Sequence, residues 1–165
     1  MRLIALSTGI VAVLFAGAIF GFFYAWICST MWGLDAADPR IAIEAMQAMN
    51  ASVRNATFAP AFFGTPFVLF LAGYCAFRVG ARAAVLAFVA GGAVCAFGGV
   101  ILTMSVNVPM NEALALVDIP SDRDAAADIW DAYSQPWQVW NITRTIASGV
   151  ALALAATGVA ALGRA

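Results

Sequence analysis

A chain of 165 residues that is 64% hydrophobic and 10% charged carries more apolar surface than a water-soluble domain of that length can bury, and a mean hydropathy of +0.91 makes the bilayer its expected solvent. Net charge is -1, and the eight basic residues, all Arg and scattered singly, form no stripe that could hold a nucleic-acid backbone. Histidine is absent, which removes the usual haem ligand, the two-His-one-carboxylate iron site and the commonest general base.

The first charge-free run, Leu3 to Leu34, is too long for the apolar core of a secretory signal and reads as a retained helix. It carries a Gly17-x-x-x-Gly21 element of the kind that lets membrane helices approach closely. Gly17, Gly21, Tyr24 and Cys28 share a face, which either aims the Tyr24 hydroxyl into a bundle or uses the ring for packing. The polar segment Asp35 to Arg54 follows. Within it, Pro39 and the apolar Ile41, Ala42, Ala45, Met46 and Met49 predict a short amphipathic helix that starts on Pro and caps the bundle. Asn50, Arg54 and Asn55 close this segment, Asn50 and Arg54 on one helical face.

Charge-free runs Asn55 to Phe77 and Ala83 to Asn111 are joined by a tight Arg78 to Arg82 turn. Each is long enough for the roughly 20 residues that span a bilayer. Pro66 and Pro109 each free a backbone carbonyl, tolerated where neighbouring polar groups answer it. Gly91-Gly92 and Gly98-Gly99 supply further small residues. The third run leaves the membrane through Asn107-Val108-Pro109-Met110-Asn111-Glu112, whose two Asn are four apart and present both amides to one side. They either cap the helix end and answer the Pro109 carbonyl or contact a ligand.

In the polar segment Glu112 to Arg144, the acidic stretch Ala125 to Ala132 predicts a second outer helix, stopped by Gln135-Pro136 before the last span begins near Trp137. Trp137, Asn141, Arg144 and Ser148 are spaced i, i+4, i+7, i+11 and make one stripe descending into the fourth span. A polar-aromatic stripe with an ionisable residue at its lower end is the signature of a membrane site, although Trp also belongs at interfaces and Arg can snorkel to water. Trp130, Tyr133 and Trp140 lie close by. The run Thr145 to Gly163 completes the set, with Ala147, Ala151 and Ala155 as its packing series.

The expected fold is all-α: a single four-span membrane domain over residues 1–165, with spans near 3–31, 57–77, 83–108 and 141–162 and short outer-face helices in the first and third loops. Arg2, Arg78, Arg82 and Arg164 fall on one side with no acid, and all nine Asp and Glu fall on the other. That sorting predicts a multi-pass protein of a bacterial inner membrane with both termini cytoplasmic. Cys28, Cys75 and Cys95 lie in apolar runs without metal-ligand spacing, so no metal is expected. The glycosylation-like triplets at Asn50, Asn55 and Asn141 abut membrane segments and are read as chance.

The order of motifs, from a Gly-rich first span through Ala48-Met49-Asn50 and Asn107-Val108-Pro109-Met110-Asn111 to Trp137-Gln138-Val139-Trp140-Asn141 with Arg144-Thr145, resembles the anthrone oxygenase-like family of small membrane proteins. The resemblance covers nearly the whole chain. It implies oxidation of an anthrone to an anthraquinone by dioxygen with no cofactor, neither metal nor flavin. It further implies that Asn107, Asn111, Asn141 and Arg144 hold the enolate oxygen and that Trp137 and Trp140 line a slot for the rings, with Asn50, Arg54 and Tyr24 as further binding candidates. Glu112 and Asp131 are the candidate bases, and either would need burial to raise its pKa. The partners expected are the bilayer, an apolar aromatic small molecule or lipid, and a second copy of the chain. The alternative is a non-catalytic module that binds a quinone or lipid, or a structural subunit of a membrane complex.

Overall fold

The structure is a computed structural model and describes residues 1–164. Among them all regular structure is helical. Five helices follow in order: α1 (Arg2–Asp35), α2 (Pro39–Ser52), α3 (Phe58–Arg78), α4 (Arg82–Ala115) and α5 (Arg123–Arg164). All but α2 are long and apolar enough to cross a membrane, and a helix is the form that satisfies its own backbone in hydrocarbon.

The four long helices pack side by side: α1 on α3, α3 on α4, α4 on α5, and α5 back on α1. Arg2 donates to the Leu162 carbonyl at 3.3 Å. Near it, Phe88 of α4 fills the space beside Gly9 of α1 and Gly158 of α5. The start of α1, the end of α5 and the α3–α4 turn therefore share one end of the molecule, the arginine end. In that turn Gly80 has φ +77°, a left-handed conformation that glycine adopts without steric cost.

At the opposite, polar end, α2 starts as its sequence predicts. The Asp38 side chain accepts from the Arg40 amide at 3.0 Å, Pro39 occupies the first turn, and Pro39, Ala42, Ile43 and Met46 are buried beneath it. The helix is pinned to its surroundings by Gln47, which donates to the Leu114 and Val117 carbonyls at the end of α4. The Leu114 carbonyl also accepts from the Val117 amide at 3.1 Å, so Gln47 ties α2 to both ends of the turn that closes α4.

Two expectations are corrected. Gly17-x-x-x-Gly21 is not a packing seam within the chain, because a Cβ on Gly21 would meet nothing within 4 Å. The inward face of α1 is instead Ala5, Gly9, Ala12, Ala16, Ile19 and Phe23, a series of alternating fours and threes that follows the 3.6-residue period. The separate helix expected around Ala125 to Ala132 does not exist, since α5 runs unbroken for 42 residues through Pro136. Both Pro136 and Ala132, whose carbonyl the proline frees, are exposed. Asp35 also straddles the site, accepting from Trp130 Nε1, Ser134 Oγ and Gln138 Nε2 at 3.0, 2.7 and 2.9 Å. A freed carbonyl on an open face costs little, and the carboxylate splints the helix on both sides of the proline. At 1.5 Å per residue α5 is roughly 60 Å long, about twice the hydrocarbon thickness, so much of it stands beyond any membrane.

Helix α4 departs from regular α-helical geometry, with π-helical turns at Cys95–Ile101 and Thr103–Asn107. Gly91, Cys95, Gly99, Thr103 and Asn107 are all buried. In an α-helix a spacing of four drifts by about 40° per step, so four steps would carry the face round by about 160°. Underwinding by π turns keeps the five residues on one side. It also seats α4 tightly on α5, where a Cβ on Gly98 would lie 2.6 Å from the Ala147 Cβ.

Candidate functional site

Towards the polar end the long helices separate around a cavity of about 1030 Å³. Its walls come from the apolar positions of four helices. Phe22 and Phe23 of α1 meet Phe58 and Phe62 of α3, with ring centroids 4.7 Å apart for Phe22–Phe58 and 6.3 Å for Phe23–Phe62. Trp26 lies 5.1 Å from Trp137 of α5. Below, Val100 packs against the Ile19, Phe23 and Phe62 cluster. Above, the loop between α2 and α3 closes over the space, shaped by the Asn55 carboxamide oxygen accepting from the Thr57 and Phe58 amides at 2.8 and 2.9 Å. A third π turn, Trp26–Thr30, lies where α1 passes this cavity, as such turns often do at functional sites.

Arg144 lines the cavity and is 5% exposed. Its Nε donates to the Asn141 Oδ1 at 3.0 Å and its Nη1 to the Thr103 hydroxyl at 3.3 Å. Asn141 in turn donates to the Phe23 carbonyl at 3.2 Å, which fixes the oxygen that receives the guanidinium. The guanidinium carbon sits 4.2 Å from the centre of the Phe23 ring and 5.1 Å from that of Trp137. Cation–π contact of this desolvated kind contributes about 2 kcal/mol. Among the described residues no carboxylate pairs with Arg144; the ion pairs there are Arg40–Asp38, Arg54–Glu112 and Arg123–Asp38. A buried cation costs several kcal/mol to desolvate, and two rings and two neutral acceptors offset that only in part. Among the described residues the guanidinium is therefore held by neutral groups alone.

Asn111 also lines the cavity. Its Oδ1 accepts from the Tyr133 hydroxyl at 2.8 Å and from Trp137 Nε1 at 2.9 Å, and the Asn50 amide donates to the same hydroxyl at 3.4 Å. These bonds orient the Asn111 carboxamide, with its oxygen turned towards α5. Asn107 is fully buried, and neither its amide nitrogen nor its oxygen has a partner among the described residues. It does not answer the carbonyl freed by Pro109, as the capping alternative required, and it does not line the cavity.

Arg54 and Glu112 stand at the polar rim as an exposed ion pair at 3.2 Å, and Glu112 is the one acid on the cavity wall among the described residues. The carboxylate is thus without the burial expected of a strong base. Asp131 is exposed and away from the cavity. Two ring-binding candidates lie off the cavity wall. Tyr24 is 49% exposed and stacks on Phe20, because the helical period gives the inward position to Phe23. Trp140 sits at the edge of the buried face formed by Tyr133, Trp137, Asn141 and Arg144, and does not reach the cavity.

Sequence reasoning missed Phe23, Trp26, Phe58, Phe62 and Thr103 as wall residues, and Tyr133 as the group bridging Asn50 and Asn111. Apolar side chains in apolar runs carry no local mark of lining a void. Thr103 did carry one, since it falls four residues before Asn107 in the buried series of α4. Among the described residues no group of three or more His, Cys, Asp and Glu side chains gathers as a metal-binding set.

The family model described as anthrone oxygenase matches residues 45–154. That stretch runs from within α2 to within α5 and includes Asn50, Asn107, Asn111, Trp137, Asn141 and Arg144. No curated protein and no solved structure matches the chain.

Proposed function

The chain belongs to the anthrone oxygenase family, and from that membership we propose that it is a membrane-embedded oxygenase that takes an anthrone-like or quinol-like aromatic into its cavity and oxidises it with dioxygen. The observation that carries this reading is Arg144, a buried guanidinium with no acid partner among the described residues, on the wall of a predominantly apolar chamber.

An anthrone has an acidic methylene, and removal of a proton leaves an enolate whose negative charge rests largely on oxygen. A cation about 4 Å from that oxygen, at an effective dielectric near 20, favours the anion by about 4 kcal/mol, on the order of three pKa units. The protein thereby acidifies its substrate, and a modest base suffices. Glu112 is in position at the solvent rim to take the proton and pass it to water. The enolate gives one electron to dioxygen, and the resulting radicals join at the same carbon to form a C–O bond. The peroxide anion so formed takes back a proton from water, and the resulting hydroperoxide then loses its remaining C–H proton and hydroxide together as water, which breaks the O–O bond and leaves a second carbonyl, so that CH2 and O2 become C=O and H2O. Arg144 with Asn141 and Thr103 behind it supplies the preorganised dipole field for the oxyanion, while Trp137, Phe23 and Phe62 hold the rings and exclude water.

In the same reading the arginine end faces the cytoplasm of a bacterial inner membrane. Support comes from Arg2, Arg78, Arg82 and Arg164, which crowd that end without an acid.

Purified protein in detergent should accelerate oxygen uptake by anthrone. Arg144→Gln should lower kcat/KM by about 10²- to 10³-fold, the usual cost of removing an oxyanion donor, with helix content by circular dichroism unchanged. If oxygen uptake stays at the spontaneous rate across anthrones of varied substitution, the protein is instead a non-catalytic binder of quinone or lipid.

A further inference from the structure

We infer that the cavity is loaded sideways, out of the bilayer, through a portal between α3 and α4, and that its occupant is a flat, apolar aromatic ketone dissolved in the membrane. Only the identity of the occupant rests on the proposed oxygenase function; the portal rests on how the four sides of the chamber are closed.

Three sides are sealed by contacts at the level of the cavity. Between α1 and α3 the seal is the Phe22–Phe58 and Phe23–Phe62 ring pairs. Between α1 and α5 it is Trp26 against Trp137 and the bond from Asn141 to the Phe23 carbonyl. Between α4 and α5 it is the Thr103–Arg144 and Asn111–Trp137 bonds above the Gly98–Ala147 contact. The fourth side differs. From the Gly80 turn upwards α3 packs on α4, with Val89 against Gly73 and Phe70 against Gly92, but its close packing on α4 ends with the Cys95–Ile101 turn. Beyond that level the two helices flank an opening rather than a seam. Phe63 on one side and Met104 on the other both line the cavity, and each is about half exposed.

The polar mouth is the less suitable entrance for an apolar molecule. It is roofed by the loop of residues 53–57 and barred by the Arg54–Glu112 ion pair. The sideways route is bordered by a phenylalanine and a methionine, whose thioether chain adapts its shape at low cost. A flat ring system passing between them stays out of water until it reaches Arg144, the first charge on its path.

The portal is tested without any substrate in proteoliposomes, using Ala61→Cys, a wall position outside the three seals, in a background of Cys28→Ala, Cys75→Ala and Cys95→Ala. Pyrene maleimide dissolved in the bilayer should label this wall position about tenfold faster than a charged maleimide supplied from water, because hydrocarbon excludes the charge. Labelling by the charged reagent at an equal or greater rate overturns the portal. In the same background, Phe63→Cys and Met104→Cys joined by a reducible bifunctional thiol reagent should slow quenching of tryptophan fluorescence by anthrone under argon. Reduction should restore it, and an unchanged rate in the cross-linked protein overturns sideways loading. Absence of anthrone quenching in the reduced form, with portal labelling intact, removes the aromatic ketone as occupant and counts against the oxygenase reading, while the opening stands.

Discussion

The same four helices behave differently at their two ends. Towards the arginine end they meet through Ala5, Ala12, Ala72, Ala76, Ala84, Ala151 and Ala155, with Phe88 filling the space that the small residues leave. Towards the polar end, Phe22, Phe23, Trp26, Phe58, Phe62 and Trp137 hold them apart around the cavity. In lipid no hydrophobic force drives helices together, so affinity between them comes from close backbone approach, van der Waals contact and polar bonds. Small residues provide the approach at one end. At the other, large rings prevent it, and the splayed segments are tied together by the Arg144–Asn141, Arg144–Thr103, Tyr133–Asn111 and Ser134–Asp35 bonds. One half is a clamp, and the other is a chamber that the clamp holds open.

The comparison breaks most readily at Gly98, where the clamp gives way to the chamber. A leucine there collides with Ala147 and should cost about 3 kcal/mol in a reversible detergent-unfolding titration, the upper range for overpacking. Gly21→Leu, on a face where nothing lies within 4 Å, should stay within about 0.5 kcal/mol of the parent. Equal effects at the two glycines would show that helix propensity, rather than close approach to α5, dominates at Gly98.

A smaller effect of opposite sign is expected at Asn107. Its carboxamide is fully buried with both polar atoms unpartnered, a condition that costs about 1–3 kcal/mol. Asn107→Leu, similar in volume, should stabilise the protein by about 1 kcal/mol in the same titration. Destabilisation instead would show that the amide finds a partner in the membrane-embedded protein and belongs to the working site.

Much of the clamp was legible in the sequence, because its devices are compositional. Charge-free runs give the four long helices, and Gly91, Gly98, Ala147, Ala151 and Ala155 mark the α4–α5 seam. The chamber was legible only where it is polar. Trp137, Asn141 and Arg144 follow the α-helical period on one helix, so their shared face could be counted out along the chain. Phe23 and Trp26 could not, as nothing in an aromatic-rich run separates a ring that faces a void from one that faces lipid. Tyr24 was misdirected by reading Gly17 and Gly21 as the packing face, whereas the α-helical series from Ala5 to Phe23 places it outside. The π turns of α4 did leave a trace, the strict fourfold spacing from Gly91 to Asn107, which no α-helix keeps on one side. The continuity of α5 left none. Gln135-Pro136 ends a helix by local rules, and only the distant Asp35, bonding to Trp130, Ser134 and Gln138, carries it across the proline.

The smallest effect distinguishes the start of α2, at the polar end, from the clamp. At the start of α2 the Arg40 side chain, hydrogen-bonded to Asp38, holds that carboxyl well below its ordinary value of 3.8, at about 2, and the Arg40 backbone amide adds to the shift. Arg40 also donates to the Ser121 carbonyl at 3.0 Å, so the same guanidinium joins α2 to the loop before α5. A carboxyl whose pKa is lower folded than unfolded contributes its stability in full above the unfolded value and loses it as pH falls through the folded one. Amide hydrogen exchange in the first turn of α2 should therefore stay constant from neutral pH down to about 4, after allowance for the intrinsic pH dependence of exchange, and protection should fall between about 4 and about 2. Protection at the Ala151 and Ala155 amides in the clamp should not change over that interval, because among the described residues the side-chain carboxylates lie in the segments of the polar end, positions 35–44 and 112–131. Because Asp38 and Arg40 are open to solvent, added salt should shrink the step at α2, and Arg40→Ala should abolish it. A step that survives Arg40→Ala would transfer the anchoring role to Arg123, whose Nε lies 4.0 Å from the same carboxylate.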